Sequence, residues 1–174
     1  SKYTDVFAKE LKDIEGCPLL RYSIQTGNAP PCKAKPFRHS PQARKEIEKQ
    51  VREMLDARII EFSDSPYSAN VLLVKKKGGG SMRFCVDWRL LNGQIDAASS
   101  SSFSLPNIDV LLSAVGDIKP QIMTSFDLRS AYFNVQLDDA TKHKTALTCH
   151  LGKFQFLRAG FGISQIPSVF QILL

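Results

Sequence analysis

The chain has 174 residues, of which 43% are hydrophobic, 23% charged and 9% aromatic. That composition suits one soluble domain with one core and excludes disorder, collagen and coiled coil for the bulk of it. Its longest apolar runs, such as Val71-Leu72-Leu73-Val74, fall far short of the ~20 residues that cross a bilayer. No basic-then-apolar leader opens the sequence, so a cytoplasmic location and no membrane partner are expected.

The net charge of +6 is moderate, and its placement is more informative than its size. Residues 75–89 hold Lys75, Lys76, Lys77, Arg83 and Arg89 against one acid, Asp87. From Ala140 onward there are Lys142, Lys144, Lys153 and Arg158 and no acid. Clustered basic charge favours a polyanion such as nucleic acid or nucleotide phosphate, although solvated surface faces give the same pattern. The four cysteines, at 17, 32, 85 and 149, form no CxxC and no zinc-type spacing with His39, His143 or His150, which suits reduced structural thiols.

In chain order, Leu20 to Ile24 alternates like an exposed strand, and Gly27 to Pro36 reads as a turn or extended arm. A helix follows, with Ser40 as its cap, Pro41 in its first turn, and Ile47, Val51, Met54 and Leu55 on one face. Ala69 to Val74 and Met82 to Trp88 read as two strands joined by a glycine-rich, mobile and strongly basic tip, Lys75 to Ser81. Ala97 to Ser102 reads as a flexible serine-rich bridge. Ser104 precedes a short helix with Ile108, Leu111, Leu112 and Val115 on one face. Gln121 to Phe126 reads as a buried strand ending at Asp127. Phe133 to Leu137 alternates, and Asp138-Asp139 opens a short basic turn. Thr145 to Cys149 and Phe154 to Leu157 form a hairpin through Leu151-Gly152-Lys153. Ser164 to Leu174 begins a last helix with Val169, Phe170 and Leu173 apolar, and shows no exit signal.

Three constellations carry chemistry. The first is Lys75-Lys76-Lys77, the glycine tip, then Arg83-Phe84-Cys85-Val86-Asp87-Trp88-Arg89 with Leu91-Asn92. The second is Phe126-Asp127-Leu128-Arg129-Ser130-Ala131-Tyr132. The third is Phe161-Gly162-Ile163-Ser164-Gln165-Ile166-Pro167-Ser168-Val169-Phe170-Gln171. Each is weak alone: a strand-end aspartate more often caps a turn, a lysine run more often lies along a solvated edge, and isolated aromatics are more often core. In their order and spacing they resemble the fingers and first palm segment of a reverse transcriptase, most nearly the polymerase of gypsy-class LTR retrotransposons. The likeness covers roughly residues 18–174 and includes the Ile47 to Ile60 stretch and Ser65-Pro66-Tyr67-Ser68.

That resemblance implies an α+β, right-hand polymerase fold with a fingers subdomain and an incomplete palm. Residues 1–39 would be an N-terminal arm and entry strand, 40–104 the fingers, and 105–174 the first part of the palm. It implies RNA-directed DNA synthesis, an in-line phosphoryl displacement assisted by two metal ions ~3.5–4 Å apart. Asp127 matches the family's first metal-binding aspartate and the Leu128 carbonyl a second oxygen ligand, for Mg²⁺ or alternatively Mn²⁺. Lys76 and Arg83 match residues that close over the incoming triphosphate. Tyr132 matches the ring under the nucleotide sugar, where it would exclude a ribose 2′-hydroxyl. The Phe133 amide matches a donor to the sugar 3′-oxygen. Phe161 matches a position beside the nucleotide and Gly162 one beside the template. Asp87 and Arg89 are expected to pair with each other. The partners implied are an RNA or DNA template-primer, deoxynucleoside triphosphates and the remainder of a Pol polyprotein.

The family's second pair of metal-binding aspartates lies in a Tyr-x-Asp-Asp hairpin beyond the Phe170-Gln171 helix, and no acid follows Asp139 in this sequence. Asp138-Asp139 is separated from Asp127 by a predicted strand at ~3.3 Å per residue, so the doublet reads as a helix cap. The metal site is therefore expected to be incompletely liganded and the chain alone inactive. Further departures are the three tip glycines, the serines at 99–102, Gly160 where proline is usual, Gln165-Ile166 and Ile172-Leu173. Without the rest of its palm the chain is expected to leave an apolar edge or face exposed, to be marginally stable and to associate. Two functional readings stand: a segment of a reverse transcriptase whose chemistry resides in the intact parent, or an inactive truncated retroelement product that only binds nucleic acid.

Overall fold

The computed structural model describes residues 8–75, 80, 82–95 and 107–174. The main helix, α1 (Pro41–Asp56), forms where caps and periodicity agree. Ser40 Oγ accepts the Ala43 N–H at 3.2 Å, a cap that stabilises by about 1 kcal/mol. Pro41 sits in the first turn, where no backbone donor is needed. Ile47, Val51 and Met54 are buried along one stripe. Arg58, in the left-handed region at φ 50°, turns the chain back into β2 (Ile60–Phe62).

The helix packs against a five-stranded sheet containing β2, β3 (Ala69–Lys75), β4 (Met82–Val86), β6 (Leu147–Cys149) and β7 (Gly152–Phe156), in the order β2-β7-β6-β3-β4. The β3–β6 pair is parallel and the others antiparallel. Both expected hairpins are present, β3–β4 with Val74 opposite Arg83 and β6–β7 with Cys149 opposite Gly152. Strands from both sides of residue 104 thus share one sheet. Its core unites Ile47 and Val51 of α1 with Val71, Leu147 and Phe154. A two-stranded parallel pair, β1 (Arg21–Tyr22) with β5 (Gln136–Leu137), closes one side. Short helices α2 (Arg89–Asn92), α3 (Ile108–Ile118) and α4 (Ile166–Gln171) complete the α+β architecture.

Several expectations are corrected. The Leu20 to Ile24 stretch is a two-residue strand whose inner face is covered, because Tyr22 and Ile24 enter the core. Phe133 does not begin a strand: Ala131–Asn134 is a 3-10 turn, and only Gln136–Leu137 pairs. The last helix is confined to Ile166–Gln171. The largest difference is Gln121 to Phe126, which forms no strand and is exposed, with Phe126 85% accessible. A strand needs a ladder partner and a covered face, and no described strand lies beside it. α3 forms as predicted, capped by the Asn107 side chain on the Asp109 N–H. Its apolar residues Ile108, Leu111, Leu112 and Val115 nevertheless face solvent, leaving an exposed apolar stretch of the kind anticipated. The glycine-rich tip and the serine bridge fall largely or wholly outside the described residues.

Candidate functional site

A cleft of about 560 Å³ opens between α1, the edge strand β4 and the segment Arg129–Phe133. α1 contributes Glu46, Lys49, Gln50 and Glu53; β4 contributes Met82 to Val86; and Phe161 lines another wall. Three residues from the sequence analysis, Arg83, Phe133 and Phe161, therefore line one cavity although they lie far apart in the chain. Arg83 is exposed on β4 and makes no side-chain hydrogen bond or ion pair among the described residues. Of the other cleft cations, Arg129 donates to the Lys9 carbonyl and Lys49 is exposed on α1. Arg83 thus presents guanidinium donors open to a ligand in the same cleft as the exposed Lys49.

The aromatic wall is built from one short turn and one loop. Ser130, in the left-handed region at φ 48°, redirects the exposed 122–128 segment into the 3-10 turn that carries Tyr132 and Phe133. The Tyr132 ring lies 5.1 Å from that of Phe161 and 5.7 Å from that of Phe170. The Phe133 ring lies 6.0 Å from that of Phe161, edge-on. The Phe133 amide donates to the Ser130 carbonyl at 2.9 Å, closing the turn.

The Phe161-Gly162 loop is held by the first constellation. Trp88, 2% exposed, donates its Nε1–H to the Phe161 carbonyl at 3.0 Å. Asn92 donates to the Gly162 carbonyl at 2.9 Å and accepts the Ser164 N–H at 3.0 Å. Gly162 has φ +94°, and a Cβ there would meet Trp88 Cδ1 at 3.3 Å, so both conformation and contact favour glycine. Asp87 and Arg89 form the expected pair, with Nε 2.8 Å from Oδ1 and Nη2 2.6 Å from Oδ2. The adjacent guanidinium lowers the Asp87 pKa below its usual range.

Asp127 and Leu128 are exposed and do not line the cleft. Their carboxylate and carbonyl are hard oxygen donors suited to magnesium. Among the described residues no three His, Cys, Asp or Glu side chains cluster as a metal site. Asp138 and Asp139 are engaged elsewhere. Asp138 accepts the Ala140 N–H at 2.9 Å, while Asp139 pairs with Lys142 at 2.8 Å and Arg21 at 3.2 Å. Lys76 lies outside the described residues.

The bases of the acid-free stretch after Ala140 are engaged within the chain. Lys142 pairs with Asp139 and with Glu61 at 3.1 Å. Lys144 donates to the Ile24 carbonyl at 2.8 Å, Lys153 to the Ser65 carbonyl at 2.6 Å, and Arg158 to the Ile14 carbonyl. Burial lowers the pKa of Lys144. Sequence reasoning placed Trp88 and Asn92 in the first constellation without their part in holding the Phe161-Gly162 loop, because each acts on backbone remote in sequence.

Arg83 of the edge strand and an aromatic turn meet at one cleft, and comparison with known proteins gives this arrangement its family. The family model described as reverse transcriptase (RNA-dependent DNA polymerase) matches residues 74–174. The enzymatic polyprotein of cauliflower mosaic virus (strain NY8153) is 37% identical over 142 residues, 80% of this chain and 20% of that protein. The retrovirus-related Pol polyprotein from transposon opus of Drosophila melanogaster is 29% identical over 98% of this chain and 17% of its own length. Among solved structures, a prototype foamy virus protease-reverse transcriptase mutant superposes with TM-score 0.79 at 19% identity, over 98% of this chain and 22% of that one. The foamy viral protease-reverse transcriptase in complex with RNA/DNA hybrid superposes with TM-score 0.71 at 15% identity, over 90% of this chain and 20% of that one. The chain belongs to the reverse transcriptase family. It has part of the right-hand polymerase fold and spans about a fifth of the length of the curated relatives it matches.

Proposed function

We propose that this chain supplies the nucleotide-engaging wall of an RNA-directed DNA polymerase encoded by a gypsy-class LTR retrotransposon. The observation that carries the reading is the convergence of Arg83, exposed and unpaired among the described residues, with Phe133 and Phe161 on one cleft. The Arg83 guanidinium presents a planar fork of donors to polyphosphate oxygens, and Lys76 is the second cation that the family resemblance implies. Tyr132, braced by Phe161 and Phe170, is the steric wall against a ribose 2′-hydroxyl. Phe161 and Gly162 form the surface beside the nucleotide and template strand. The template-primer partner is supported by the foamy viral relative in complex with RNA/DNA hybrid, and the retroelement class by likeness to transposon Pol polyproteins.

Magnesium, or manganese in its place, supplies charge stabilisation to phosphoryl transfer when fully liganded. Asp127 and the Leu128 carbonyl are this chain's share of that shell, which a longer polymerase would complete. The 174 residues alone are proposed to bind substrate without polymerising it. Primer extension with Mg²⁺ tests this: no incorporation is expected, whereas synthesis that disappears in Asp127→Asn would overturn it. Affinity for an RNA–DNA duplex should fall steeply with added salt as phosphate contacts are lost, and a flat response would contradict the nucleic-acid partner.

A further inference from the structure

Arg83 sits on β4, the edge strand of the sheet, and an edge strand leaves alternate backbone groups unpaired. On the free edge, the unpaired groups on either side of Arg83 are the Met82 carbonyl and the Phe84 N–H. Both are engaged by one side chain from α1. Gln50 Nε2 donates to the Met82 carbonyl at 3.1 Å, and Gln50 Oε1 accepts the Phe84 N–H at 3.2 Å. A neighbouring parallel strand would make the same two bonds around Arg83. Gln50 is itself oriented by Glu46, one turn earlier on α1, whose Oε1 accepts from Nε2 at 2.5 Å. All four residues Glu46, Gln50, Met82 and Arg83 line the cleft.

We infer that Gln50 is a positioning residue: it acts as a one-residue surrogate strand that locks the backbone on both sides of Arg83 and so aims the guanidinium at a polyphosphate. The inference rests on the reading of Arg83 as the triphosphate ligand. A carboxamide is the side chain suited to the task, because it offers one donor and one acceptor in a plane like that of a peptide group. Gln50 touches no ligand in this role; it narrows the range of β4 backbone conformations from which Arg83 must bind, and so lowers the ordering cost of binding.

The test is a double-mutant cycle on the 174-residue chain with inorganic tripolyphosphate as probe. Gln50→Met keeps the length and helix propensity of the side chain and removes both bonds. It is expected to raise the tripolyphosphate Kd about tenfold in the parent and by less than about twofold in Arg83→Gln, the signature of two residues acting as one unit. A Gln50→Met effect of equal size in both backgrounds, or none in the parent while Arg83→Gln weakens binding, overturns the positioning role and leaves the reading of Arg83 intact. No change in Arg83→Gln overturns that reading and the inference with it. Hydrogen exchange at the Phe84 amide of the unsubstituted chain decides the matter if Gln50→Met does not fold. Protection is expected, and exchange at the rate of an open edge amide would overturn the clamp.

Discussion

Trp88 and Phe161, 73 positions apart, are joined by a hydrogen bond from the indole Nε1–H to the Phe161 main-chain carbonyl at 3.0 Å. The bond links the end of the basic hairpin to the aromatic wall of the cleft, and the indole is buried to 2% exposure. Trp88→Phe removes the donor, leaves that carbonyl unpaired and shortens a core side chain. We expect a loss of about 2 kcal/mol in stability, read from urea unfolding, together with weaker nucleotide binding as the Phe161 loop loosens. Unchanged unfolding would separate the loop from the core.

The two glycines beside Phe161 should respond oppositely to alanine. Gly162 has φ +94° and would place its new methyl 3.3 Å from Trp88, so Gly162→Ala should cost about 1–3 kcal/mol. Gly160 has ordinary backbone, and its Cβ would meet the Phe156 ring at 3.5 Å, van der Waals contact, so Gly160→Ala should be near neutral or slightly stabilising. Thermal melting of the two variants checks the contrast.

Tyr22 provides a pH dependence. Burial pushes its phenol pKa from 10.0 up to about 12, and its hydroxyl donates to Gln165 Oε1. The neutral phenol is the form the fold prefers. Its stabilising contribution is complete below pH 10, declines as the unfolded chain ionises first, and is gone once pH passes about 12. Absorbance near 295 nm should report one tyrosine titrating late, and Tyr22→Phe should flatten the alkaline loss of stability.

The exposed run from Ile108 to Leu128 should make the isolated chain sticky. Ile108, Leu112, Ile118, Ile122, Met123 and Phe126 all face solvent, an apolar stretch of the kind that usually meets a partner surface. We expect strong binding of an apolar fluorescent dye and concentration-dependent association. Leu112→Glu with Ile118→Glu should reduce both while changing stability by no more than about 0.5 kcal/mol. Dye binding that persists in the double variant would place the exposed surface elsewhere.

Legibility in the sequence followed the range of the interactions. α1 was readable because Ser40, Pro41 and the Ile47-Val51-Met54 stripe act within a few residues of one another, and the β6–β7 hairpin because its turn is local. Gln121 to Phe126 was misread because apolar composition marks burial potential, whereas a strand also requires a neighbour. The basic stretch after Ala140 stayed ambiguous because charge counts along the chain do not reveal that Lys144 and Lys153 reach carbonyls 120 and 88 positions away. Arg83 and Phe161 were found through resemblance to a family. Gln50 was missed because a side chain that bonds to backbone 32 and 34 positions away leaves no periodic trace.

The central claim is that the cleft between α1, β4 and the Tyr132–Phe133 turn receives a deoxynucleoside triphosphate. Photo-crosslinking with 8-azido-dATP, mapped by mass spectrometry, tests it most directly. The account predicts labelled peptides containing Tyr132–Phe133 or Phe161, with labelling suppressed by excess dATP and by Arg83→Gln. Labelling confined to the smaller cavity lined by Arg21 and Arg158, or labelling indifferent to Arg83→Gln, would contradict it.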